Sequence, residues 1–152
     1  MNLGTVMSFP VHTARRNTLV RDVVSVMTEH RISAVPIVDD DQKVVGLVTV
    51  SDLVPQVRNA PASNVPLLSL LNEYVDFASL DAAYERIAGL HASDVMQKTV
   101  LTGRPEVEVG TAALWMAERN LSALPIVRAD GVLVGIVTRS DLMRMTIERR
   151  GE

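Results

Sequence analysis

The feature that most constrains this chain is that it repeats itself. Residues Ile32-Ser33-Ala34-Val35-Pro36-Ile37-Val38 return as Leu121-Ser122-Ala123-Leu124-Pro125-Ile126-Val127. Gly46-Leu47-Val48-Thr49-Val50-Ser51-Asp52-Leu53 returns as Gly135-Ile136-Val137-Thr138-Arg139-Ser140-Asp141-Leu142, and Val6-Met7 as Val95-Met96. All three matches share one offset of 89 residues; 6–53 lies on 95–142 without a gap, and 21 of the 48 positions are identical. Repeats of this size are structural units that bury their apolar faces against one another. Two copies in one chain predict a pseudo-twofold pair, with equivalent residues on both sides of a shared groove.

Each unit reads the same way. A short extended piece, Pro10 to Thr13 or Thr99 to Thr102, comes first. Val20, Val23, Val24 and Met27, like Val109, Ala112, Ala113 and Met116, then recur at helical spacing. Two Val- and Ile-rich strands follow, at about 34–38 and 44–50, and at about 123–127 and 133–138. Asp39-Asp40-Asp41-Gln42-Lys43 and Arg128-Ala129-Asp130-Gly131 are turn chemistry, and the acidic run lacks the Gly and Glu of a calcium loop. Pro36 and Pro125 sit inside strand runs, which predicts edges or bulges. A second helix starts near Ser51 and near Ser140. The order is β-α-β-β-α per unit, an α+β chain with repeats over 1–57 and 94–149 and a helical insert over 58–93. In the insert, Pro66 opens one helix with Leu67, Leu70, Leu71 and Tyr74 on one face. Ser79 caps another with Leu80, Ala83, Tyr84 and Ile87 on its stripe and Gly89 near its end.

Composition removes whole classes of function. There is no cysteine, so disulfides, thiol catalysis and cysteine-ligated zinc are excluded and a reducing cytoplasm is expected. No apolar run approaches the roughly 18 residues of a membrane span, and the start lacks the basic and apolar stretches of a signal peptide. A net charge of −3 gives no electrostatic drive toward nucleic acid. His12, His30 and His91 show no metal-ligand spacing. Gly-x-Ser-x-Gly, Walker and dinucleotide fingerprints are all missing, so no enzyme is expected.

The Val-Met dipeptide, the Ile-Ser-Ala-Val-Pro-Ile-Val strand and the Gly-Leu-Val-Thr-x-Ser-Asp-Leu run resemble the CBS (cystathionine β-synthase) domain family, across nearly all of 6–57 and 95–146. The insert resembles the helical linkers of small stand-alone CBS-pair proteins. The resemblance implies two repeats packed with pseudo-twofold symmetry, often called a Bateman module. It implies two equivalent clefts for AMP, ADP, ATP or another adenosyl ligand, with no cofactor required, and a homodimer. No effector domain is visible in the sequence, so either a separate effector protein reads the module or the protein senses or buffers nucleotide. Carried over by position, Thr49, Ser51 and Asp52 serve one cleft and Thr138, Ser140 and Asp141 the other, with the Asp holding the ribose hydroxyls. Adenine is expected near Val11, Ala34 and Pro36, or near Val100, Ala123 and Pro125.

The chemistry fits those residue types. A carboxylate accepts two hydrogen bonds from a vicinal diol, and a hydroxyl donates to ribose or phosphate oxygen. The same residues are also ordinary helix caps, so capping and ligand binding are both open here. Arg139, standing where the first repeat has Val50, is either a phosphate-directed charge that makes the two clefts unequal or a solvated side chain. Arg15 and Arg104, matched between the repeats, suit the surface better than a phosphate site. A ligand-free dimerisation or scaffold module is the alternative function.

Overall fold

The computed structural model describes residues 1–53 and 84–151. Its elements, in chain order, are a 3-10 turn at Leu3–Thr5, α1 (Val20–His30), β1 (Ala34–Val38), β2 (Val44–Thr49), α2 (Val50–Leu53), α3 (Ala92–Val95), α4 (Val109–Glu118), β3 (Ala123–Val127), β4 (Leu133–Thr138) and α5 (Arg139–Arg150). The expected insert helix after Pro66 lies outside the described residues, as does the cap at Ser79. Of the second insert helix, residues 84–88 are helical, and Gly89 follows in a turn.

Helical spacing picked out the buried faces. Helix α1 buries Val20, Val23 and Met27, and α4 buries Ala112 and Met116. Beyond the two helices, Arg31 and its equivalent Asn120 both take left-handed backbone, at φ 53° and 52°. The strands pair as antiparallel hairpins in matching register, Ala34 with Thr49 and Ala123 with Thr138. A register shift falls between Ile37 and Val38, and again between Ile126 and Val127, one residue past each strand proline. The expected first strands shrink to single parallel bridges, Ala14 to Ile37 and Gly103 to Ile126.

The hairpin turns meet at the pseudo-twofold axis. Lys43 bridges Val132, its own equivalent at the offset of 89. Within the turns the left-handed position falls to Gln42 (φ 62°) in one copy and Gly131 (φ 87°) in the other. The conformation is therefore kept where the residue type is not. In the first turn the Asp39 carboxylate accepts from the backbone N–H groups of Asp41 and Lys43. Those bonds, the Lys43 N–H first, hold its pKa below the usual carboxylate value.

The two apolar cores do not follow the two halves of the chain. Leu3, Val6 and Met7, at the start of the chain, pack with Ala112, Met116, Leu124, Ile126 and Val137 of the second repeat. Ala92, Val95 and Met96, at the start of the second repeat, pack with Val23, Met27, Val35, Ile37 and Val48 of the first. Backbone bonds follow the same crossing. Ser8 and Ile136 exchange bonds of 2.9 and 3.1 Å, and Gln97 and Leu47 exchange bonds of 2.8 and 3.1 Å. Each repeat thus lends its leading segment to the other's sheet. A third buried cluster joins the repeats, made of Ala34 and Leu47 from one and Ala123 and Ile136 from the other, with Val11 and Val100 packed against it.

Candidate functional site

Two equivalent strand-to-helix junctions, Thr49–Asp52 and Thr138–Asp141, adjoin this shared cluster through the Ala34–Thr49 and Ala123–Thr138 pairings. In the first, the Thr49 N–H and hydroxyl donate to Asp52 Oδ2 at 2.8 and 3.0 Å. In the second, the Thr138 N–H and hydroxyl donate to Asp141 Oδ2, both at 2.8 Å. The Asp141 N–H approaches Thr138 Oγ1 in return, which makes a reciprocal capping box at the start of α5. Both carboxylates are partly buried. The threonine holds one carboxylate oxygen of each, which orients the group.

The residues named from the sequence, Arg139 apart, fall into four groups. Thr49 is buried at 4% exposure, while Thr138, Asp52 and Asp141 are half-buried. Ala34 and Ala123 are buried in the shared cluster, and the half-buried Val11 and Val100 pack on it. Ser51 and Ser140 are exposed on the first turns of α2 and α5. The Pro36 side chain is fully buried and Pro125 is buried too, so neither ring faces an open cleft; each pairs across its hairpin with a residue of the shared cluster, Leu47 and Ile136.

Two details go beyond the sequence reading. Arg139 is exposed, but its guanidinium is held by its own repeat. Its Nε donates to the Leu121 carbonyl and its Nη2 to Asn120 Oδ1, both at 2.7 Å. The planar guanidinium finds two acceptors on the turn between α4 and β3, and Val50 offers nothing comparable. The leading segments are also crossed. The leading segment of the second repeat bridges β2 at Gln97, and that of the first bridges β4 at Ser8.

Gln97 is the site residue that sequence reasoning missed. Its Nε2 donates to Asp52 Oδ1 and Oδ2 at 3.3 and 3.2 Å. A signal was available: Gln97 follows the repeated Val-Met dipeptide, and Ser8 holds the same place in the first copy. Elsewhere, Arg15 pairs with Asp40 at 2.9 Å on the surface, and the rings of His12 and His30 stack 3.6 Å apart. No helix among the described residues is long and apolar enough to cross a membrane.

Comparison with known proteins gives this geometry a family. An uncharacterized protein of Methanocaldococcus jannaschii is 28% identical over 97% of this chain and 92% of its own length. The chloroplast CBS domain-containing protein CBSX1 of Arabidopsis thaliana is 27% identical over 93% of this chain, which spans 62% of that protein. A homoserine O-acetyltransferase of Methanohalobium evestigatum is 26% identical over 96% of this chain, which spans only 24% of the enzyme. Among solved structures, CBSX2 from Arabidopsis thaliana superposes with a TM-score of 0.79 at 24% identity, covering 99% of this chain and 97% of that one. CBSX2 in complex with AMP gives 0.70 at 26% identity, covering 98% of each chain. The CBS domain pair of protein MJ0100, in complex with 5′-methylthioadenosine and S-adenosyl-L-methionine, gives 0.74 at 23% identity, covering 98% of each. The CBS domain family model matches twice, at residues 3–58 and 92–148, so that this chain belongs to the CBS domain family as a tandem pair.

Proposed function

We propose that this chain is a non-catalytic regulatory module that binds an adenine nucleotide in clefts between its two repeats. The observation that carries this reading is the matched pair of oriented, partly buried carboxylates, Asp52 and Asp141, beside one apolar cluster shared by both repeats. A plain cap needs no such cluster. A ribose ring needs a diol acceptor, and adenine needs an apolar wall beside it. AMP in the structure of CBSX2, 26% identical to this chain, supports the choice of ligand class.

Because the ligand would touch both repeats, its binding energy favours the arrangement that pairs them best. That change is then read by an effector. Asp52→Ala and Asp141→Ala should each weaken one cleft about 10- to 100-fold, since a hydrogen bond to a charged group contributes about 1.5–3 kcal/mol. Calorimetric titration with AMP, after a thermal-shift panel of AMP, ADP, ATP, S-adenosylmethionine and a guanine nucleotide, reads this out. Wild-type affinity in the double variant removes the site assignment. No stabilisation by any adenosyl compound favours the scaffold alternative.

The module is also read as a homodimer. Leu114 on α4, and Met143 and Ile147 one turn apart on α5, are 57%, 63% and 68% exposed, apolar side chains suited to cover by a second copy. A monomer mass in sedimentation equilibrium would end that part of the reading.

A further inference from the structure

The two clefts differ in one respect that neither the repeat nor the capping geometry requires. Both oxygens of Asp52 receive a donor from the Gln97 side-chain amide, which reaches across from the other repeat. At the equivalent position the second cleft has Ser8, with its backbone bonded to Ile136 as that of Gln97 is to Leu47. Among the described residues, Thr138 alone donates hydrogen bonds to Asp141. Arg144 stands 3.7 Å from Asp141 Oδ1, beyond hydrogen-bond reach, with a side chain 67% exposed, so solvent screens this pair.

We infer that Gln97 is an intramolecular competitor for Asp52, so that the cleft at Asp52 binds an adenine nucleotide more weakly than the cleft at Asp141. The inference rests on the nucleotide reading above. A primary amide presents two N–H donors, as does a vicinal diol with its two O–H groups. A ribose entering the first cleft competes with that amide for Asp52, whose Oδ1 already accepts one hydrogen bond and whose Oδ2 accepts three. In the second cleft no donor among the described residues is hydrogen-bonded to Asp141 Oδ1. Gln97 is exposed and its amide bonds are 3.2–3.3 Å long. Displacement is therefore possible at a modest cost, which grades the two sites without closing one. A module built this way fills in two steps as nucleotide concentration rises.

The test exchanges the two residues. Asp141→Ala leaves the Asp52 cleft alone to be titrated with AMP. There Gln97→Ser should tighten binding about threefold to tenfold, the worth of an ordinary exchangeable hydrogen bond. In the Asp52→Ala background, Ser8→Gln should weaken the remaining cleft by a similar factor. Unchanged or weaker AMP binding after Gln97→Ser overturns the inference, the latter because Gln97 would then be a ligand contact. A second measurement needs no nucleotide. In the free wild-type protein the Gln97 side-chain amide protons should shift in NMR spectra on Asp52→Asn, and an unmoved signal overturns the contact itself. If wild-type protein binds no adenosyl compound while that shift is seen, it is the nucleotide reading that fails and not the Gln97–Asp52 contact.

Discussion

Leu3→Ala should cost the protein about 3 kcal/mol, within the range for deleting a fully buried leucine side chain. Its place near the start of the chain would normally argue for a small effect, because ends of domains fray unless they are tied down. Here the end is tied down. Leu3 has no exposed surface and sits in the second repeat's core with Met116, Leu124 and Ile126. Its N–H donates to the Val107 carbonyl at 2.8 Å, and the next residue, Gly4, donates to the Pro105 carbonyl at 2.9 Å. On the other side, Gly103 packs so close that a Cβ there would lie 2.8 Å from Leu3 Cδ1, so little slack exists to refill the hole. Leu3→Met, which keeps most of the volume, should cost under about 1.5 kcal/mol. Urea unfolding measures both. Hydrogen exchange adds the location: the amides that lose protection on Leu3→Ala should be those of β3, β4 and α4, about a hundred residues further along the chain. A loss below about 1 kcal/mol would mean that the leading segment is frayed in solution and that the crossed cores are wrong.

Much of this architecture was legible because the duplication constrains both copies at once. Thr49, Asp52 and their equivalents stood out by recurring in register, and the structure gives them the same hydrogen bonds twice. Period and composition located the two hairpins and the helix after each, while the expected first strand of each repeat is only a single bridge. The crossing of Leu3, Met7, Val95 and Met96 was not legible, since periodicity describes one element at a time and says nothing of which core a segment joins. The same gap explains Gln97. A polar residue in an extended stretch carries no local signal, and its partner Asp52 lies 45 residues away in sequence. The contacts of Arg139 were hidden for a different reason. Its charge suggested a phosphate, but a guanidinium takes whichever planar acceptors are nearest, and the Leu121 carbonyl and Asn120 side chain were invisible as such before the turn was formed.

Gly46→Val should likewise cost about 3 kcal/mol, the upper part of the range for overpacking, and it should carry that cost into the first cleft. Nothing about the backbone at Gly46 demands glycine: its φ is not positive. The demand comes from the crossing segment. A Cβ on Gly46 would overlap Met96 Sδ, lie 2.9 Å from Met96 Cγ and lie 3.2 Å from the Gln97 carbonyl oxygen. The sulfur can swing aside, but the carbonyl belongs to the backbone bridged to Leu47, and its shift strains that bridge. The second copy repeats the arrangement, with Met7 over Gly135, so the two glycines record where each repeat receives the other's methionine. Adding Met96→Ala to Gly46→Val should return part of the loss, with a coupling of at least about 1 kcal/mol in the double-mutant cycle. Additive losses would mean that the methionine and the glycine do not share one space. Because the backbone of Gln97 is displaced in Gly46→Val, its amide should also leave Asp52. The NMR signal that reports this contact in the wild-type protein should then move toward that of a free glutamine, although residue 46 touches neither carboxylate nor ligand.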